Sequence, residues 1–195
     1  MRPQIVLAFT FASLWLPAVG CSSDQPKPEA GGKMQSATDT LGNRMTLSSP
    51  AFSDGERIPS KHTCTGANLS PELKWEHPPE GTVAFALICH DPDAPVGDWV
   101  HWVIYDLPGE TRGLPEGVSD TPDLDSGAKQ GRTDFGSIGY GGPCPPPGKP
   151  HHYLFELYAL SGKSGLEAGA GREKLLETIK LLILSEAVLT GVYSR

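Results

Sequence analysis

The sequence predicts a mostly β domain, arranged as a two-sheet sandwich with one main helix near its C-terminal end. Three segments are rich in β-branched and aromatic residues and are bounded by Pro, Gly or Asp, which is typical of strands. They are TVAFALICH (82–90), VHWVIYDL (100–107) and HYLFELYAL (152–160). The loops between the predicted elements contain Gly, Pro, Asp and Ser at the density of turns, so we expect functional residues to lie on them.

The first two of these segments are nearly continuous apolar runs, whereas the third alternates cleanly and has apolar residues on both of its faces. A strand with two apolar faces is expected at the centre of a sheet. From about Arg172 to Ser185 the apolar residues recur at helical spacing, which predicts one amphipathic helix packed on the sheets. The chain then closes with AVLTGVYSR (187–195), a predicted final strand.

The N-terminal segment has the pattern of a secretory signal over residues 1–20. Met1 and Arg2 precede the apolar run 5–16, and small residues follow directly before Cys21. The run is shorter than the roughly 20 apolar residues that span a bilayer. The segment PAVGC resembles a bacterial lipobox, although Ala18 stands where Leu is usual, so we expect Cys21 to be lipidated. The alternative is ordinary secretory cleavage with Cys21 as an incidental thiol.

Residues 21–43 are expected to form a disordered tether between the lipidated Cys21 and the folded domain. From Ser22 onward this stretch has no aromatic residue and only two large apolar residues, Met34 and Leu41. Such a composition buries too little apolar surface to offset the entropy lost on ordering. The domain is therefore predicted to span 44–195, long enough for a sizeable core.

The charge of the chain argues against nucleic acid as a partner. The formal net charge is −7, with 16 basic and 23 acidic residues, and no basic stripe is present. Neutralising nucleic-acid phosphates requires such a stripe. Any anion bound by this protein must therefore be held by a local site, and no cofactor is predicted.

Three cysteines remain once Cys21 is assigned to lipid. Cys89 lies inside the apolar run 82–90 and is predicted to be a buried thiol. Cys64 and Cys144 both lie in turn-rich segments, KHTCTG and GGPCPPPG, and export permits disulfides, so we expect these two to be joined. The spacing of the cysteines does not match a four-ligand zinc site.

Candidate chemical residues follow the first predicted strand. Asp91 comes directly after the strand end, where neighbouring backbone N–H groups can orient its carboxylate, and DPDAP (91–95) forms a proline-fixed turn. Strict alternation in the next strand would place His101 and Val103 on one face and Trp102 on the other. A His that faces inward beside apolar neighbours needs a polar partner.

A second set lies in GGPCPPPGKPHHYLFELYAL (141–160). His151 stands at the mouth of the third strand, with Tyr153 on its same face. The prolines before it remove N–H donors, which would leave the N–H groups of Gly141 and Gly142 free to face a ligand. These features predict a small oxyanion pocket. Protonated His101 and His151 would donate to the anion, so binding is expected to strengthen as the pH falls.

The DPDAP motif, followed by WVHW (99–102) and GYGGPCPPPGKPHHYLFELYAL (139–160), resembles the phosphatidylethanolamine-binding protein family, in its bacterial Raf-kinase-inhibitor-like branch. Supporting matches lie at 58–75, 130–148 and 189–195. The resemblance implies a β-sandwich of that family's type, with one small cavity that binds phosphate or a phosphate-bearing head group. Carried over to this sequence, the ligand-binding residues would be Asp91, Trp99, His101, Gly142, Pro143, His151 and Tyr153. One departure is His152, where the family often has Arg.

The function predicted from these patterns is a binding module, exported to the bacterial cell envelope and anchored there by lipid. Its ligand would be phosphate or a phosphorylated small molecule, and one role considered is the modulation of a protein partner. The kinase inhibition known for eukaryotic relatives is not transferred, because an exported domain meets no cytoplasmic kinase.

Two other functions were weighed against this prediction. One is a structural envelope lipoprotein with a vestigial pocket. The other is a metal-dependent hydrolase, for which the sequence offers enough imidazole and carboxylate ligands, although no short ligand spacing supports it. These ligands are His90, Asp91, Asp93, His101, His151 and His152. Against the metal site, alternation places His90 and His152 away from the pocket, and Asp93 is expected to cap the turn.

Overall fold

A computed structural model describes residues 44–195 of the chain. The predicted signal, the lipidated Cys21 and the tether lie outside the described residues. Within the described residues, no helix is long and apolar enough to cross a membrane.

The described residues form two antiparallel sheets and one α-helix, which confirms the predicted fold class. The smaller sheet has the strand order β1-β2-β5, and the larger has the order β6-β4-β3-β7-β8. The strands are β1 (Thr46–Ser48), β2 (Leu73–Glu76), β3 (Ala84–Asp91), β4 (Trp99–Pro108), β5 (Gly113–Leu114), β6 (Lys129–Gln130), β7 (His151–Leu160) and β8 (Ile183–Tyr193), and the helix is α1 (Arg172–Ile179).

Two hydrophobic cores lie on opposite faces of the five-stranded sheet. The first joins the two sheets and includes Trp75 from the small sheet and Phe85, Trp102 and Phe155 from the large one. The second lies between the large sheet and α1 and includes Leu175 of the helix. Strand β3 lies between β4 and β7 and is buried along its whole length, which explains why its sequence is a continuous apolar run.

The C-terminal helix is shorter than the sequence predicts. It ends at Ile179 instead of Ser185, and β8 begins at Ile183, four residues before the predicted strand. Ile183 pairs with Leu160 at the end of β7, so backbone pairing along β7 extends into the segment that the sequence predicts to be helical. The apolar residues at the end of the predicted helix fit both a helical and a strand period, and pairing with β7 decides which structure forms.

A β-bulge at the start of β4 corrects the predicted direction of His101. His90 pairs with Val100 and Cys89 pairs with Trp102, so His101 is the extra residue of the bulge. His101 and Trp102 therefore both lie on the side of the first core, where His101 packs against Tyr153. Val103 lies in the second core, on the opposite face of the sheet.

The predicted disulfide is present. Cys64 and Cys144 are joined across 80 residues of sequence, with their Cα atoms 5.4 Å apart. Cys89 is a free, buried thiol, as expected. The bridge ties the loop before β2 to the proline-rich loop before β7.

Candidate functional site

A cavity of about 180 Å³ lies at one end of the large sheet, where β3 ends and β4 and β7 begin. We call it the strand-end cavity. Five of the seven ligand-binding residues predicted from the sequence line it. They are Asp91, Trp99, His101, His151 and Tyr153, and they are joined by Ala94, Pro95, Val96, Phe135, Cys144, Pro145 and Pro146.

A larger groove of about 780 Å³ runs along β2 and β5, but it is a weaker candidate site. Its buried lining residues, Leu73, Trp75 and Leu114, are apolar. The indole N–H of Trp75 already donates to the carbonyl of Thr111 at 2.9 Å. The groove therefore presents no buried polar side chain that lacks a partner.

A buried Asp–His pair forms one wall of the strand-end cavity. His151 Nδ1 donates to Asp91 Oδ2 at 2.8 Å, and the backbone N–H of Asp93 donates to Asp91 Oδ1 at 2.9 Å. Asp91 is 3% exposed and His151 is 8% exposed. Both carboxylate oxygens are thus engaged, and Nε2 is the ring nitrogen of His151 that Asp91 leaves available.

His101 is held in one orientation by its neighbours. Its Nδ1 donates to the carbonyl of Gly141 at 2.5 Å, and its ring meets Phe135 and Tyr153 edge-on, at centroid distances of 5.2 and 5.1 Å. Burial lowers the pKa of His101, and the hydrogen bond to Gly141 only partly offsets this effect. His101 is therefore neutral near pH 7, not the easily protonated donor expected from the sequence.

The hydroxyl of Tyr153 is the most unusual group at the cavity. The residue is fully buried, yet its hydroxyl meets no described residue in hydrogen-bond geometry, although the Asp91 carboxylate lies close enough to interact with it. Burial, then the nearby charge of Asp91 and the direct interaction of the hydroxyl with that carboxylate, raise the pKa of Tyr153 well above its usual range. The hydroxyl therefore stays protonated and can donate a hydrogen bond.

Gly142 and Pro143 do not line the cavity, in contrast to the role carried over from the family. The N–H of Gly142 donates to Asn68 Oδ1 at 2.8 Å, and the carbonyl of Pro143 accepts from the N–H of Cys64 at 3.1 Å. The N–H of Gly141 is also engaged, because it donates to the carbonyl of His101. The expectation that these glycine N–H groups are free for a ligand is therefore wrong.

Glycine is required at position 142 because the loop packs closely there. A Cβ on Gly142 would lie 2.5 Å from Asn68 Oδ1 and 2.5 Å from the carbonyl oxygen of His62. These contacts are too short for any side chain. Gly142 thus fixes the cavity wall through loop packing and does not face the ligand.

Sequence reasoning missed Phe135 and Val96 at the rim of the cavity. Phe135 packs edge-on against Trp99 at 5.6 Å, and Val96 is 77% exposed at the mouth. Phe135 is the single aromatic residue between positions 106 and 139, inside a segment otherwise rich in Gly and polar residues, which is the one signal that could have indicated it.

The histidines predicted to lie away from the pocket do so. His90 belongs to a group on the opposite face of the sheet, which we call the rear network: His90, Asp98, Glu156, Tyr158 and Arg172. His90 Nδ1 donates to Asp98 Oδ1 at 2.5 Å, Arg172 donates to Asp98 Oδ2, and Glu156 Oε1 lies 3.3 Å from His90 Nε2.

His152 is exposed and donates to Asp93 from both its backbone N–H and its Nδ1. Asp93 therefore ties the turn to β7, and Asp91, not Asp93, caps the turn. The six candidate metal ligands are accordingly divided between three places. Among residues 44–195, no group of three or more His, Cys, Asp or Glu side chains is arranged to hold a metal ion.

Comparison with known proteins agrees with the fold and with the sequence motifs. The family model for phosphatidylethanolamine-binding protein matches residues 48–194. A UPF0098 protein of Methanothermobacter thermautotrophicus is 48% identical over 151 residues, covering 77% of this chain and 99% of that protein. The UPF0098 protein YbhB of Escherichia coli is 38% identical over 158 residues, covering 77% of this chain and 100% of that protein.

Two solved structures are also similar. YbcL of Escherichia coli, described as a new member of the mammalian PEBP family, has a TM-score of 0.73 and 36% identity, and the match covers 78% of this chain and 99% of that one. The homologue CT736 of Chlamydia trachomatis has a TM-score of 0.72 and 38% identity, with the same coverage. On this evidence the chain belongs to the phosphatidylethanolamine-binding protein family.

Proposed function

We propose that this protein is an exported, lipid-anchored binding module whose strand-end cavity holds a small oxyanion, such as phosphate or a phosphate-bearing head group. The observation that carries the proposal is the Tyr153 hydroxyl, which is buried and unpartnered among the described residues. An unsatisfied buried hydroxyl costs roughly 1–3 kcal/mol, and a ligand oxygen at this point would remove that cost.

The charges around the cavity set the conditions for binding an anion. Asp91 is the acidic residue among the lining side chains, and no Lys or Arg among the described residues lines the cavity. With neutral histidines, the site would carry a net negative charge and would repel an anion. Protonation of His151 would cancel the charge of Asp91 and turn Nε2 into a donor. Affinity for an anion should therefore fall as the pH rises.

Calorimetric titration with inorganic phosphate at about pH 6 and pH 8, which bracket the usual histidine pKa, tests this function. We expect tighter binding at pH 6. A His151→Ala chain should bind roughly ten- to a hundredfold more weakly at pH 6, because it loses a charge-assisted hydrogen bond. His152→Ala is the matched control, since His152 lies next in sequence but outside the cavity. Equal affinity at the two pH values, or equal losses in the two variants, would contradict the proposal.

The location and the partner belong to the proposal as well. A lipid on Cys21 would hold the domain at a membrane of the bacterial cell envelope, with residues 22–43 as the spacer. In that position the module could present its occupied or empty cavity to a protein partner in the same compartment. The support for this part is the N-terminal sequence pattern.

A further inference from the structure

The hydrogen-bonding role of His101 is fixed by its contact with Gly141. A carbonyl oxygen can only accept, so the hydrogen on His101 must lie on Nδ1, which is 2.5 Å from that oxygen. A neutral imidazole protonated on Nδ1 presents Nε2 as an acceptor. The ring is 3% exposed and lies between Phe135 and Tyr153, which hold it in place.

The charged groups around His101 come from three elements. Asp91 faces it from β3, Asp134 from the loop before β7, and His151 and Tyr153 from β7. Asp134 is itself engaged by the backbone N–H of Val100 at 2.7 Å. Burial lowers the pKa of His101 more than the hydrogen bond to Gly141 and the two carboxylates raise it. The resting state of His101 is therefore an acceptor.

The cavity consequently offers a mixed set of partners to its ligand. Tyr153 donates through its hydroxyl, and His151 donates through Nε2 when protonated, whereas Nε2 of His101 accepts. A phosphate monoester with one proton matches this set, because its P–OH can donate while its other oxygens accept. A phosphodiester has no P–OH, so it cannot donate to Nε2 of His101.

On this basis, and resting on the oxyanion function proposed above, we propose that the cavity selects phosphate monoesters over phosphodiesters and binds them singly protonated, with the P–OH donating to Nε2 of His101. The second pKa of a phosphate monoester is about 6, so at pH 8 the free ligand is mostly the dianion. The proton must then be taken up on binding.

The test compares two ligands that share the same ammonium group: phosphoethanolamine, a monoester, and glycerophosphoethanolamine, a diester. The full chain is titrated calorimetrically at pH 8 in two buffers of different ionisation enthalpy, which reports the number of protons taken up. We expect the monoester to take up about one proton more than the diester at pH 8. In a second titration at about pH 5.5, where the monoester already carries one proton, it should bind at least about tenfold more tightly than the diester. Protons taken up by protein groups that respond to both ligands cancel in this comparison. The comparison is made on the parent chain alone.

Short-chain phosphatidic acid, a lipid monoester, shows which source supplies the ligand. If it binds with the same proton uptake as phosphoethanolamine, the selected monoester can come from a lipid. If it does not bind while phosphoethanolamine does, the selected monoester is a soluble molecule. Both results agree with the proposed preference of the cavity for phosphate monoesters over phosphodiesters.

A His101→Gln chain adds an independent check, because an amide can offer either a donor or an acceptor. We expect its preference for the monoester to fall below about threefold, whereas His152→Gln, outside the cavity, should keep the full preference. Equal affinities for the two ligands in the parent chain, without a difference in proton uptake, would overturn the monoester inference and leave the oxyanion function standing. Binding of neither ligand at either pH would overturn both.

Discussion

At the scale of single residues, removing the buried hydroxyl of Tyr153 tests whether this group serves ligand binding or core packing. Replacing Tyr153 with Phe keeps the ring in the first core and removes only the unpartnered hydroxyl. We expect the unliganded chain to become more stable by roughly 1 kcal/mol, because a buried unsatisfied group is lost. Phosphate binding should weaken at least about tenfold. Urea unfolding and calorimetry measure the two effects; lower stability with unchanged affinity would show that the hydroxyl serves the fold and not a ligand.

The rear network predicts a pH-dependent term in stability. Burial acts to lower the pKa of His90, but the Glu156 and Asp98 carboxylates outweigh it and raise the pKa. Protonated His90 therefore contributes stability that is fully present below the unfolded pKa of about 6.5 and is lost as the pH rises through the folded value.

An Asp98→Asn chain tests this term, because it removes the carboxylate that both His90 and Arg172 contact. The stability difference between the parent and Asp98→Asn should be larger at pH 5.5 than at pH 8.5, measured by urea unfolding. Asp125→Asn, the same change at an exposed carboxylate, is the control and should follow the parent at both pH values. A difference that grows with rising pH would contradict the role given to His90.

Three polar residues of the cavity could be predicted from the sequence, because strand ends and a period of two place Asp91, His151 and Tyr153. The direction of His101 could not, since a bulge inserts one residue and breaks strict alternation. Phe135 was also missed, because the direction of a loop side chain follows from tertiary packing and not from a local period.

At the scale of secondary-structure elements, the boundary between α1 and β8 shows where local patterns fail. The segment 179–185 suits a helix by spacing and a strand by composition, and pairing with β7 decides the outcome. The central strands were predictable because burial on both faces leaves little freedom in their composition. The backbone contacts of Gly141 and Gly142 were not, since their partners, His101 and Asn68, lie far away in sequence.

The disulfide is the covalent link between two loop elements and also part of the cavity wall, since Cys144 lines it. Reduction should lower the free energy of unfolding by about 2–4 kcal/mol, because a long loop of the unfolded chain is released. Phosphate binding should weaken together with stability, since the segment Cys144–Pro146 forms one side of the cavity. A Cys64→Ser/Cys144→Ser chain, compared with the parent in urea unfolding and calorimetry, measures both effects. Cys89→Ser is the control for loss of a thiol, and its phosphate affinity should remain that of the parent.

At the scale of the whole molecule, the described domain supplies the cavity, while the proposed location depends on Cys21. A Cys21→Ala chain should lose membrane association in detergent partitioning, because residues 22–43 have no apolar anchor of their own. Ser22→Ala, the neighbouring substitution, is the control and should leave partitioning unchanged. Retention of the Cys21→Ala chain in the membrane fraction would refute the lipid anchor.

The central claim is that the strand-end cavity holds a small oxyanion, and native mass spectrometry observes the occupant directly. The purified full chain is measured in millimolar phosphate before and after treatment with a chelator. We predict one added phosphate that survives the chelator and is absent from the Tyr153→Phe chain. A stoichiometric metal that the chelator removes, or an unliganded mass throughout, would contradict the account.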